Sequence, residues 1–167
     1  MDSEVTVVGA GVIGSSLACL LSNQGIKVTL IDRGNPLVKH NNSSKESART
    51  VALNLSSIDL LKKIDIWSDL EKAATPFERI YVWDSKGSSP LQFLAQDIHK
   101  EELGCVITND LILESLKKPL KKSKRLNLQA DTELSKIKIN EKGVVITCTN
   151  GKKFHSKLLV GADGVTS

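Results

Sequence analysis

The chain has 167 residues, a net charge of +4, 40% apolar residues and 25% charged residues, the balance of one soluble globular domain with a sizeable core. No apolar run approaches the roughly 18 residues of a membrane-spanning helix. Aromatic residues at 4% offer nucleic acid no stacking platform. Three scattered cysteines and three isolated histidines lack metal-ligand spacing, so no metal site is expected.

Residues 1–3 lead straight into an apolar run, which leaves no room for a signal or transit peptide and points to a cytoplasmic protein. Residues 4–33, EVTVVGAGVIGSSLACLLSNQGIKVTLIDR, then read strand, turn, helix, turn, strand, acid. Val5, Val7 and Val8 suit a strand buried in a parallel sheet. Gly9, Gly11 and Gly14 follow in G-x-G-x-x-G spacing. The first allows a tight turn, the second a close approach of pyrophosphate to the backbone, the third close packing of helix on sheet. The helix would present free N–H groups and the positive end of its dipole to phosphate. Leu17, Ala18, Leu20 and Leu21 recur at helical spacing, and Gly25 is placed to end the helix. Asp32 closes the second strand, 18 positions after Gly14, where a carboxylate binds a ribose 2′-OH. The same charge would repel a 2′-phosphate. The unit therefore binds an adenine dinucleotide, FAD or NAD, and the rest of the chain has to decide which.

Residues 33–47, rich in Asn, Ser, Gly and Pro, read as a loop. Leu53, Ile58, Leu60, Leu61 and Ile64 suggest a helix over about 56–63, with Trp67 and Leu70 packing beneath a second short helical turn. Pro76 is expected to break that region. Strands are expected at 79–84, 91–94 and 103–108. A helix over 109–122 would bury Leu111, Leu113 and Leu116, and Pro119 would kink or end it. Lys117, Lys118, Lys121, Lys122, Lys124 and Arg125 form a basic cluster. It reads as a solvated helix end favoured by the dipole, or, more sharply, as a contact for an anionic membrane surface.

Strands follow at 126–129, 133–139, 144–149, 153–155 and 157–161, with Asn150-Gly151 a strong hairpin signal. Ala162-Asp163-Gly164 makes a turn at the end of the last. Cys19 in a helix and Cys148 in a strand read as buried free thiols of a reducing compartment. A plain NAD dehydrogenase would continue its βα alternation. This chain turns instead to extra strands and a β-meander, which favours the FAD-binding variant. The fold expected is α/β: a Rossmann-like, three-layer FAD/NAD(P)-binding fold with a parallel sheet, a β-meander and the start of a substrate-binding sheet.

The segments VGAGVIGSSLACLL, ARTVALNLSSIDLL, RIYVWD, ELGCVITNDLILESL and KLLVGADGVTS resemble, in this order, the N-terminal part of the aromatic-ring flavoprotein monooxygenases. Within that family they are most similar to the ubiquinone-biosynthesis hydroxylases. The resemblance implies an FAD site made by Gly9, Ala10, Gly11, Val12, Ile13 and Gly14 at the pyrophosphate, with Asp32 and Arg33 at the adenosine. It places Arg49 near the flavin and pyrophosphate, Asn109 at the start of a helix against the cofactor, and Asp163 and Gly164 in the Asp-Gly motif that serves FAD and NAD(P)H. The residues themselves also allow plainer readings: a surface ion pair for Arg49, a helix N-cap for Asn109 and a simple turn for Asp163.

Asp32 stands where the family more often has Glu, and Thr108-Asn109 where it commonly has Glu-Asn. The implied activity is hydroxylation of a polyprenylated phenol or quinol by dioxygen, through NAD(P)H-reduced flavin and a flavin hydroperoxide. No general acid or base can be assigned. The family's later Gly-Asp motif is not in this sequence. The expectation is thus an FAD-binding domain over 1–167 with part of an inserted substrate-binding region at about 76–108, inactive by itself. Peripheral contact with the inner face of a membrane would accompany such a substrate. Two other classes remain open: another FAD oxidoreductase, such as an amine oxidase or halogenase, and a non-catalytic prenyl-protein chaperone on the same fold.

Overall fold

The computed structural model describes residues 2–38, 49–85, 87 and 90–164. The front unit forms as its sequence requires. β1 (Val5–Val8) leads into α1 (Val12–Asn23), and β2 (Val28–Ile31) returns parallel to β1, Val5 opposite Val28 and Val8 opposite Ile31. Gly25, at φ +85°, ends α1: its N–H reaches the Ser22 carbonyl at 3.1 Å and the Ile26 N–H the Leu21 carbonyl at 3.1 Å. This reciprocal pair satisfies carbonyls that a helix end leaves open.

β3 (Thr50–Asn54) comes next, followed by α2 (Leu55–Lys63) and α3 (Trp67–Leu70). The sequence reading had no strand here. The apolar spacing counts Leu53 toward the helix expected over about 56–63, whereas Leu53 belongs to β3, and Asn54 is the N-cap of α2 and accepts the Ser57 N–H at 2.8 Å. Pro76 does not break the chain. It lies in β4 (Thr75–Phe77), which pairs antiparallel with β7 (Gly104–Thr108). Among the described residues β4 is an edge strand, paired with β7 alone, so proline's missing N–H costs no ladder bond there. β3 pairs with the other side of β7, giving the order β3-β7-β4. β5 (Arg79–Val82) and β6 (Leu91–Leu94) form a separate antiparallel ribbon.

α4 spans Asn109–Lys122, as its periodicity indicates, but Pro119 neither ends it nor stops the last turn. The buried face carries Ile112, Leu116 and Leu120, one per turn, while Leu111 is exposed and Leu113 half-buried. β8 (Leu126–Gln129) then joins the parallel sheet. The meander is β9 (Leu134–Asn140), β10 (Gly143–Cys148) and β11 (Lys153–Ser156), and β12 (Leu158–Gly161) closes the parallel sheet in the order β12-β1-β2-β8.

The molecule is layered around that sheet. On one side Val5, Val7, Val28 and Leu30 pack with Ala18 and Cys19 of α1 and with Ile112, Leu116 and Leu120 of α4. On the other, Ile31 packs under Val144, Ile146, Cys148 and Phe154 of the meander. β10 alternates buried and half-buried residues, as a strand with one covered face should. Cys19, Cys105 and Cys148 are buried free thiols, and burial pushes the Cys19 thiol up to about 12. Among the described residues no helix is long and apolar enough to cross a membrane, and no cluster of ligating side chains could hold a metal.

Candidate cofactor site

The glycine turn is fixed by its neighbours before any ligand arrives. Gly9 has φ +101°, and a side chain there would run into the backbone of Ala162 and Asp163. The Ala162 N–H in turn donates to the Val8 carbonyl at 2.7 Å. The Asp-Gly turn after β12 therefore rests directly on the glycine turn after β1. A side chain at Gly14 would overlap the Gly9 carbonyl, so α1 can sit this close only with glycine there. Gly11 differs: a Cβ would meet nothing within 4 Å. It is the N-cap of α1 and brings no side-chain cap, so the first-turn N–H groups have no capping side chain. Uncapped donors under an open turn fit a diphosphate.

Asp32 ties this turn to the second strand. Its Oδ2 accepts the Ala10 N–H, and its Oδ1 accepts the Gly34 N–H at 2.7 Å. The Ser15 hydroxyl donates to the Ala10 carbonyl at 2.9 Å, so Ala10 is held from both sides. The carboxylate thus fixes the turn and keeps lone pairs for a ribose hydroxyl. A cavity of about 580 Å³ opens beside it, lined by Val8, Gly9, Asp32, Arg33, Gly161 and Asp163, and by Thr132, Glu133, Leu134, Ile137 and Leu159. Apolar walls with a few convergent polar groups are what an adenosine needs.

The cavity brings together Gly9, Asp32, Arg33 and Asp163 of the residues singled out in the sequence. Ala10, Gly11, Val12, Ile13 and Gly14 adjoin it in the turn and first helical turn, with Ile13 fully in the open at 74% exposure. Gly164 continues the Asp-Gly turn at φ +88°. Arg49 and Asn109 meet each other at the ends of β3 and β7, where the Asn109 N–H donates to the Arg49 carbonyl at 2.8 Å, but neither lines the cavity. Asn109 is the first residue of α4, and the N-cap is Thr108. Among the described residues no carboxylate pairs with Arg49.

Thr132, Glu133, Leu134, Ile137 and Leu159 were not foreseen. The loop after β8 is drawn over the site by the Thr132 N–H on the Asp32 carbonyl at 2.8 Å and the Asp131 N–H on the Gly34 carbonyl at 3.1 Å. A signal existed: once β8 is placed in the sheet, the residues after its carboxyl end must border the crevice in which such sheets bind ligands.

The model of the FAD binding domain family matches residues 2–167. The chain belongs to that family. The site just described fits its cofactor, FAD, and the family resemblance read from the motifs is shown. Curated relatives agree. Ubiquinone biosynthesis monooxygenase COQ6, mitochondrial, of Caenorhabditis elegans is 31% identical over 98% of this chain and 38% of its own length. The protein of the same name from Dictyostelium discoideum is 26% identical over 98% of the chain and 37% of its own. The 3-demethoxyubiquinol 3-hydroxylase of Escherichia coli (strain K12) is 25% identical over 99% and 42%. The chain thus spans about two-fifths of the relatives it matches. Among solved structures, PqsL of Pseudomonas aeruginosa, titled a probable FAD-dependent monooxygenase, superposes at TM-score 0.73 with 15% identity, over 99% of this chain and 43% of its own. The flavin-dependent monooxygenase PieE, in complex with FAD and substrate, superposes at 0.72 with 20% identity, over 99% and 31%. These neighbours show that the FAD-binding Rossmann-like fold expected from the sequence is the fold present.

Proposed function

We propose that this chain is the FAD-binding portion of a monooxygenase that hydroxylates the aromatic ring of a polyprenylated phenol or quinol in ubiquinone biosynthesis, with NAD(P)H as reductant and dioxygen as co-substrate. The observation that carries the reading is convergence: the open glycine turn, the Asp32 carboxylate and the Asp163 turn border one cavity at the carboxyl ends of β1, β2 and β12. The names of the curated relatives supply the substrate class. Bound FAD would supply the redox chemistry, taking two electrons from NAD(P)H and passing one oxygen atom of dioxygen to the ring and the other to water.

The chain's own residues bind and orient. The N–H groups of Gly11 to Gly14 face the diphosphate, and the helix dipole favours its charge. Asp32, already fixed by Ala10 and Gly34, accepts from the adenosine ribose. Leu134, Ile137 and Leu159 give the adenine apolar walls. Asp32, Glu133 and Asp163 put three carboxylates against one guanidinium, Arg33, at the cavity, which disfavours a 2′-phosphate there. Arg49 and Asn109, held together, face the flavin end. The inserted region at about 76–108, which holds β4, the β5–β6 ribbon and β7, is the part of the chain that approaches the substrate.

Gly11→Val tests the site, because its side chain enters the space reserved for the diphosphate and nothing else. Purified from a flavin-replete host, this variant should carry no FAD by absorbance while keeping the wild-type circular dichroism. Normal flavin occupancy in the variant would reject the site. The substrate is tested, in a protein of the relatives' length that carries this chain, by NAD(P)H oxidation stimulated by a polyprenylated phenol, with a product heavier by one oxygen atom. Turnover of amines or halide-dependent chlorination in its place would move the protein to another class of FAD enzyme.

A further inference from the structure

The basic cluster of α4 is more than a solvated helix end. The helix lays Lys117, Lys118, Lys121 and Lys122 along one open groove of about 580 Å³, closed on its other side by Leu37 from the segment after β2. Glu114, the one acid lining the groove among the described residues, is bonded to Lys117 at 2.6 Å. Lys118, Lys121 and Lys122 form no ion pair among the described residues. Beyond the helix, Lys124 and Arg125 border a second hollow with Lys27, where Asp2 is the one acid among the described lining residues. No acidic residue interrupts residues 117–125. Val38, next to Leu37, is 55% exposed, so the groove pairs lysine heads with an apolar rim.

We propose that this face is a docking surface for an anionic phospholipid bilayer. Three features select that partner. Five of the six cations in 117–125 are lysines, hydrated point charges suited to a diffuse negative surface rather than the bidentate recognition that arginine gives. Residues 109–125 contain no aromatic side chain, so the face has no platform for stacking bases. Leu37 and Val38 give the rim two side chains that enter an interface while lysine stems lie along it. The choice of a lipid partner also rests on the proposed polyprenylated substrate, which resides in a bilayer.

The placement suits the cofactor site. α4 starts beside Arg49 and ends just before β8, whose first residue Leu126 pairs with Val28 at the start of β2. The basic end therefore lies at the amino ends of the parallel strands, and the glycine turn lies at their carboxyl ends. A bilayer on this face leaves the cofactor cavity uncovered.

The test is flotation of the 167-residue chain with phosphatidylcholine vesicles, with and without phosphatidylglycerol. Binding is expected only with phosphatidylglycerol, and it should fade as salt shortens the Debye length to about 3 Å near 1 M. Lys118→Glu/Lys121→Glu/Lys122→Glu should weaken binding at least about tenfold. The milder Lys118→Gln/Lys121→Gln/Lys122→Gln, with folding checked by circular dichroism, should weaken it in the same direction. Lys136→Glu/Lys138→Glu/Lys142→Glu, on the meander, should bind as wild type. Equal loss in both sets, equal binding to neutral vesicles, or tighter binding to a single-stranded RNA homopolymer at the same salt would overturn the proposal. Vesicle binding needs no flavin. Loss of FAD with vesicle binding kept would reject the reading of the cofactor site alone, and the reverse result would reject this surface alone.

Discussion

β1 and β2, VTVV and VTLI, differ little in composition from β5 and β6, RIYV and LQFL. All four are four-residue runs rich in β-branched, aromatic or aliphatic side chains, yet seven of the eight residues in the first pair are buried and seven of the eight in the second are exposed. Intrinsic strand preference cannot explain this contrast. Topology does. β1 and β2 each have a strand on both sides, helices on one face and the meander on the other. Among the described residues, β5 and β6 pair only with each other. The first region holds the turn in shape for the cofactor, and the second presents Tyr81, Val82, Trp83, Leu91 and Phe93 to whatever meets it.

If that account is right, damage to the first region should be far more costly than damage to the second. The largest effect should come from Gly14→Val. Its side chain would overlap the Gly9 carbonyl, a backbone atom that cannot step aside while Gly9 rests on Ala162. The loss should approach the whole stability of a domain this size, about 5 kcal/mol or more, read as a missing urea transition. Gly11→Val, three residues away, should cost no more than about 1 kcal/mol, that of a poorer N-cap, because its side chain meets only open space. Equal destabilisation by the two would show that the turn is not anchored as described.

Next comes Leu30→Ala, in β2 and fully buried. It should cost about 2–5 kcal/mol by urea denaturation, from lost burial and the cavity left behind. A cost under about 1 kcal/mol would mean that the layers on the sheet are loosely packed. Asp32→Ala should follow. It removes the acceptor for Ala10 and Gly34 as well as the ribose contact, and should weaken FAD by about 1.5–3 kcal/mol in a flavin-fluorescence titration. Unchanged affinity would show that the carboxylate serves only the turn.

Legibility in the sequence followed the same divide. The front unit could be read because each of its signals is local: alternating runs, glycine spacing, a terminal acid. α4 was read to its ends, but its buried face was shifted from Ile112 to Leu111, since four apolar residues within six leave the stripe ambiguous. β3 was missed because Leu53 fits both a strand and the helix after it, and only the Asn54 cap separates them. Pro76 misled because an edge strand tolerates proline, and edges are set by distant pairing. The cavity wall from Thr132 to Ile137 is likewise non-local, created when β8 docks beside β2.

The smallest effect is the most informative about the ribbon. Trp83→Ser and Phe93→Ser remove large apolar side chains that are 72% and 52% exposed. A core position would lose several kcal/mol by such a change. Here the side chains give up little burial on unfolding, so each should alter stability by no more than about 0.5 kcal/mol. Their consequence should lie between molecules. Exposed apolar area along a two-stranded ribbon promotes association, and a strand edge unpaired among the described residues adds a template for it. The double variant should therefore scatter less light than wild type at equal concentration while its urea midpoint stays in place. A fall in the midpoint, with scattering unchanged, would mean that the ribbon is packed in solution as β1 and β2 are, and the contrast between the two regions would fail.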